Sequence, residues 1–92
     1  MYEVTFTSQF KHAVKRCKKR GLDVSKISKI VDLLRVDGKL PRRYLPHKLK
    51  GYAGNNTWEC HIQPNWLLVW EQSDTQLTLL MLDTGTQADL FQ

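Results

Sequence analysis

Two side chains able to exchange protons stand two residues apart in the segment WECHIQ: Glu59 and His61. Along Trp58–Gln63 the apolar Trp58, Cys60 and Ile62 alternate with Glu59, His61 and Gln63, the two-residue period of a strand with one packed face. If the apolar set is buried, Glu59 and His61 project together from the other face, within reach of a common ligand. A carboxylate beside an imidazole favours the imidazolium, or serves as the base itself. Taken alone the pair reads first as a surface ion pair, and its neighbours shift the weight. Those neighbours are His47, Lys48 and Lys50, on a basic loop leading toward that face. Cleavage of an RNA phosphodiester needs a base for the 2′-hydroxyl, an acid for the leaving oxygen and cations for the developing charge. Imidazoles and a carboxylate in a basic cleft supply all three without a metal. Tyr44 or Phe91 would add a stacking surface for an unpaired base. A metal-free ribonuclease is the leading enzymatic expectation, with no cofactor.

Metal binding by the cysteines is not expected. Cys17 and Cys60 form no CxxC pair, and Cys60 and His61, adjacent on a strand, point to opposite faces. Two cysteines on different predicted elements are also too few for a disulfide framework, so both are expected to be reduced and packed.

Charge is distributed unevenly. All 14 Lys and Arg fall in residues 1–50 against four acids (Glu3, Asp23, Asp32, Asp37), a formal +10. Residues 51–92 carry five acids (Glu59, Glu71, Asp74, Asp83, Asp89) and no Lys or Arg, a formal −5. Such asymmetry suits a surface for a polyanion or an acidic partner. The 92 residues fit a single domain spanning 1–92, with a composition (41% hydrophobic, 25% charged) ordinary for a folded chain. The opening MYEVTFTSQF has no basic segment followed by an apolar one, and the longest apolar run, Trp66–Trp70, is far too short for a membrane helix. A cytoplasmic location without membrane contact is expected.

The elements that must hold these residues follow from period and punctuation. Tyr2–Thr7 alternates as a strand. Thr7 or Ser8 can cap a helix whose Phe10, Ala13, Val14 and Cys17 share one face, with Gly21 at its end. Its outer faces carry Lys15, Lys18 and Lys19. Asp23 is expected to cap a second helix, on which Ile27, Ile30, Val31 and Leu34 repeat the spacing up to Gly38. Lys39–Asn56 reads as a long basic loop with Arg42, Arg43, Lys48 and Lys50, and loops of that length are usually functional. Three strands are expected after it, Trp58–Gln63, Asn65–Gln72 and Gln76–Asp83, joined by short connections. The expectation is an α+β domain, two N-terminal helices packed on an antiparallel four-stranded sheet. The terminal TGTQADLF reads as a glycine-centred turn after the last strand.

The stretches LPHKLKG, WECHIQPNWLLVWE and LDTGTQADLF, together with the two-helix first half, resemble the YafQ branch of the RelE-like toxins of bacterial type II toxin–antitoxin systems. The resemblance covers the whole chain. It implies a small RelE-type fold and an endoribonuclease that cleaves mRNA in the ribosomal A site, inhibits translation and is neutralised by a DinJ-like antitoxin. By matching positions it makes His47, Glu59 and His61 acid–base or phosphate-positioning residues, with Asn65 where the family often has a functional Asp and Phe91 as the terminal aromatic. The basic helices and loop would meet ribosomal RNA, part of that surface the antitoxin.

Two positions depart from the pattern. Gln87 stands where family members carry a proton-transferring His, and Trp58 stands where an Arg is familiar. Glutamine hydrogen-bonds but moves no proton near neutral pH, so attenuated activity is expected. A second expectation is a non-catalytic homologue that still binds antitoxin and represses its operon. A third, a ParE-like toxin acting on DNA gyrase, is disfavoured by His47 and His61.

Overall fold

The helical half forms around two threonine and glycine punctuation marks. Thr7 Oγ1 accepts from the Phe10 N–H at 3.0 Å and starts α1, Ser8–Lys19. The second helix, α2, spans Ser25–Asp37 and closes on Gly38, whose φ of +66° is left-handed and whose N–H donates to the Leu34 carbonyl. Asp23 does not cap α2 in the expected way. Its carboxylate accepts from the Ser25 N–H and hydroxyl, one residue before the cap position held by Val24. The computed structural model describes residues 1–50 and 56–91.

The sheet corrects the expected architecture. It has five strands: β1 Glu3–Phe6, β2 His47–Lys48, β3 Thr57–Gln63, β4 Trp66–Ser73 and β5 Thr78–Gly85, in the order β1-β5-β4-β3-β2. It is mixed, because β1 runs parallel to β5 while every other pair is antiparallel. The αα-hairpin carries the chain from the β1 edge across the sheet to the β2 edge. The remaining strands then fold back one by one until β5 reaches β1. The extra strand, β2, comes from the segment expected to be loop, which also forms a 3₁₀ turn at Arg42–Tyr44. The Gly51 to Asn55 part of that expected loop, with the glycine of the LPHKLKG motif, lies outside the described residues. A third helix, α3 Gln87–Leu90, replaces the expected terminal turn.

Both long helices lie on one face. Phe10 and Cys17 of α1 and Ile27, Ile30, Val31 and Leu34 of α2 pack with Cys60, Ile62, Trp66, Leu68, Trp70, Leu79 and Met81. Burying a side chain of this size contributes about 1.5–3 kcal/mol, so this layer dominates stability. Strand β4 is central and buried on both faces, Leu67 and Val69 being 2% and 1% exposed. Among the described residues, no helix is long and apolar enough to cross a membrane.

A polar knot ties the end of α2 to the β4–β5 hairpin. Trp70 Nε1 donates to Gln72 Oε1 at 2.9 Å, and Gln72 Nε2 donates to the Gly38 carbonyl and to Asp74. The Tyr2 hydroxyl also donates to Asp74, at 2.7 Å, passing so close to Gly38 that a Cβ there would meet Tyr2 Cζ at 2.6 Å. Gly38→Ala should therefore cost about 1–3 kcal/mol, from the left-handed backbone and the displaced Tyr2 ring. Urea unfolding checks this; an unchanged midpoint would show that the ring moves aside freely.

Candidate active site

Register decides which side chains meet. Cross-strand partners share a face, and β3 aligns His47 with Glu59, Glu59 with Val69, and Val69 with Asp83. The next row on that face runs His61, Leu67, Gly85. The expected alternation of β3 holds: Cys60 and Ile62 join the helical core, while Glu59 and His61 share the opposite face. Glu59 is not the surface carboxylate expected, however. It is only 6% exposed, since it lies between the β2 edge and the buried Val69.

Its partner is His47, delivered by β2. His47 Nε2 lies 3.1 Å from Glu59 Oε1, and His47 Nδ1 lies 3.0 Å from the Leu45 carbonyl. A carbonyl only accepts, so Nδ1 carries a proton and donates it. The imidazole therefore bridges the Leu45 carbonyl and the Glu59 carboxylate. Leu45 offers its carbonyl from a left-handed conformation, φ +50°, which costs a non-glycine residue about 1–2 kcal/mol. Glu59 Oε2 is buried without a hydrogen-bond partner among the described residues. An acceptor left in that state is destabilising by about 1–3 kcal/mol or more for a charge, and stability gives no reason for it.

His61 is half-buried, its Nδ1 a long 3.4 Å from the Pro64 carbonyl. Its ring lines a cleft of about 340 Å³ with Arg43, Leu45, Ile62, Gln63 and Pro64. Asn65 is exposed in the turn joining β3 to β4. Glu59 and His61 are one pleat apart, about 7 Å along the strand.

The terminal segment is latched against α1. Arg20 reaches Asp89 with both guanidinium nitrogens, at 2.6 and 3.2 Å, and Arg16 donates to the Thr84 carbonyl at 3.1 Å. Thr86 and Asp89 form a reciprocal capping box at the start of α3. Trp66 Nε1 donates to Thr84 Oγ1, whose hydroxyl donates to the Leu67 carbonyl. These contacts place Gln87, exposed, at the first position of α3, two residues beyond Gly85 in the His61 row. Gly85 stands about 10 Å from His61, two strand spacings away. Phe91 closes α3, its N–H donating to the Gln87 carbonyl at 3.0 Å.

The expected cations divide into two groups. Arg42, Arg43, Lys48 and Lys50 are exposed on the side of the sheet edge formed by β2, with Lys48 Nζ 5.7 Å from the Trp58 ring. Lys15, Lys18 and Lys19 are exposed on α1, in the helical layer across the sheet from Glu59 and His61, so the fold does not bring them to the pair. Sequence reasoning missed Arg16 and Arg20 as anchors of the C-terminus; the Thr86–Asp89 spacing of a capping box was the available signal. It also missed Asp83, buried in the Glu59 row and bonded by Gln9 at 2.9 Å. Both thiols are free and buried, and burial, with the Glu59 charge adding to it, pushes Cys60 up to about 12, which rules it out as a nucleophile. Among the described residues no cluster of three or more His, Cys, Asp or Glu could hold a metal.

Comparison with known proteins places this geometry in a family. The family of bacterial toxins of type II toxin–antitoxin systems named YafQ matches residues 2–92. The mRNA interferase toxin YafQ of Escherichia coli B / BL21-DE3 is 30% identical over 93 residues, covering 97% of this chain and 95% of that one. The toxin in a crystal structure of the E. coli DinJ–YafQ complex superposes with a TM-score of 0.90 at 29% identity, over 100% of both chains. A crystal structure of an E. coli YafQ mutant with histidine replaced by glutamine gives 0.88 at 30% identity, again over 100% of both.

The latch makes acid stability a direct readout of the terminal segment. Hydrogen bonds from Arg20 first, then from the Thr86 N–H, hold the Asp89 carboxyl well below the usual carboxylate range. A carboxyl depressed in the folded state stabilises above its unfolded value, about 3.9, and that contribution is lost as pH falls further. Wild-type stability should drop between about pH 5 and 2, and Asp89→Asn should flatten part of that drop while lowering stability at pH 7. Urea midpoints across that range test this; parallel profiles would show that the latch contributes nothing.

Proposed function

The chain belongs to the YafQ family of bacterial type II toxin–antitoxin toxins, and from that membership we propose that it is a ribosome-dependent mRNA endoribonuclease that inhibits translation. A DinJ-like antitoxin neutralises it, and it works in the cytoplasm on mRNA in the ribosomal A site. The observation that carries this reading is the buried Glu59 carboxylate, paired with His47, on the strand that also carries His61 at its cleft.

The chemistry uses this chain's own acid–base groups. Glu59 is desolvated and keeps Oε2 unpartnered, which suits it to take the proton from the 2′-hydroxyl. The 2′-oxygen attacks phosphorus, the bond to the 5′-oxygen breaks, and His61 gives that oxygen its proton. The products are a 2′,3′-cyclic phosphate and a 5′-hydroxyl. The carboxyl resets by passing the proton it gained through His47 to solvent, from which His61 recovers its own, and Arg43 and Lys48 stabilise charge on the phosphoryl oxygens. Asn65 and Gln87 contribute hydrogen bonds, and Phe91 a stacking surface. Gln87 holds a phosphoryl oxygen but moves no proton, so turnover is attenuated relative to a histidine there. No metal takes part in this scheme, and Arg42, Lys50 and the α1 lysines Lys15, Lys18 and Lys19 meet ribosomal RNA.

Primer extension on translated mRNA tests the scheme. Glu59→Gln and His61→Ala should each lower cleavage about 10²–10⁴-fold, and Gln87→His should raise it. If even the Gln87→His protein cleaves nothing, the nuclease reading falls, and an antitoxin-binding co-repressor takes its place.

A further inference from the structure

The His61 cleft does not end at Arg43. A second cleft of about 300 Å³ begins there, lined by Lys26, Lys29, Ile30, Arg43, Tyr44 and Ile62. Arg43 and Ile62 line both clefts, which therefore run together as one groove. The groove crosses the sheet edge where it is open, since β2 pairs only with Trp58 and Glu59 and leaves the His61–Gln63 end of β3 beyond it.

Its chemistry is one-sided. Lys26, Lys29 and Arg43 line it, and among the described residues no carboxylate does. Lys26 and Lys29 are exposed at helical spacing i, i+3, on one face of α2. Helix stability does not account for them. The first turn of α2 has no acid, only Asp23 just ahead of it faces Lys26, and cations near a helix N-terminus oppose its dipole. The Arg43 guanidinium lies 4.6 Å from the Tyr44 ring centroid and donates to the Tyr44 hydroxyl at 3.1 Å. A guanidinium held over an aromatic ring is a stacking platform for a nucleobase as well as a charge for phosphate.

We propose that this groove seats the single-stranded RNA being cleaved, with phosphates on Lys26 and Lys29 and one base stacked on the Arg43–Tyr44 platform, so that the adjoining phosphodiester lies at His61. The inference rests on the ribonuclease reading of the site it opens into. Charge complementarity and continuity with the His61 cleft select a substrate strand over a duplex, whose bases are not free to stack.

Anisotropy of a fluorescein-labelled single-stranded RNA 12-mer, titrated with the full chain at several salt concentrations, gives a readout independent of cleavage. Lys26→Ala/Lys29→Ala should weaken binding about tenfold at low salt and make the salt slope shallower by about 1.4, two contacts at about 0.7 each. The charge-matched Lys11→Ala/Lys39→Ala should shift it by less than about threefold. Arg43→Lys keeps the charge and should still lose about fivefold or more, through the stack. Thermal melts confirm that each variant is folded. Equal losses in the two lysine pairs, or none in the groove pair, overturn the groove. So does a groove pair that binds the free strand normally and loses only ribosome association. No binding by the wild-type chain overturns the groove, while the ribosome-dependent ribonuclease reading stands or falls with cleavage of translated mRNA. Groove-dependent binding with no cleavage by any variant, Gln87→His included, upholds the groove and removes the catalytic reading alone.

Discussion

The pleat of β3 is the constraint on which the site depends. Cys60 and Ile62 must enter the helical core, so Glu59 and His61 must leave it on the other side. Strand β4 then fixes what that other side is like. Its Leu67 and Val69 are as buried as its Trp66, Leu68 and Trp70, so the carboxylate opposite Val69 stands in a dry row rather than in solvent. A charge placed there is expensive unless paired, and the pairing reaches only one of its two oxygens. A one-residue slip of β3 would turn Glu59 and His61 together into the helical core and expel Cys60 and Ile62 from it. Packing and chemistry are thus set by the same register, and neither can change without the other.

Helix α1 serves both ends of the molecule. Its apolar face makes the core with Phe10 and Cys17, and its flank holds the C-terminal segment through Arg16 and Arg20. A four-residue helix has no stability of its own. α3 persists because Asp89 is shared between the Thr86 cap and Arg20, and because Gly85, at φ +156°, leaves open the place where a Cβ would lie 2.7 Å from an Asp89 oxygen. The two arginines therefore count toward positioning rather than toward the open basic surface, although by sequence they look like their lysine neighbours.

What the sequence made legible was local. The period of Phe10, Ala13 and Cys17, the stop at Gly38 and the alternation through Cys60 and Ile62 each depend on residues a few positions apart, and each holds. What was not legible depends on partners far along the chain. Nothing in Glu3–Phe6 encodes that it will lie parallel to Thr78–Gly85 rather than antiparallel to a nearer strand. The two residues of β2 are too few to show a period, yet they supply His47 and turn Glu59 from a surface acid into a buried one. The His47–Glu59 contact was therefore hidden even though both residues were candidates, because alternation gives a face and not a depth.

Gln87 separates position from proton chemistry. A site in decay would be expected to lose its supporting contacts along with its reactive group, since nothing would hold them in place. Here the support is complete: a two-pronged Arg20–Asp89 bridge, a closed capping box and a tight glycine all place residue 87 at the helix start. An amide in that position keeps both a donor and an acceptor and gives up only proton transfer. The paired carboxylate and imidazole lie elsewhere, on a different pair of strands. Under the scheme proposed above, a chain built in this way keeps its hold on the substrate backbone while proton transfer rests on Glu59 and His61.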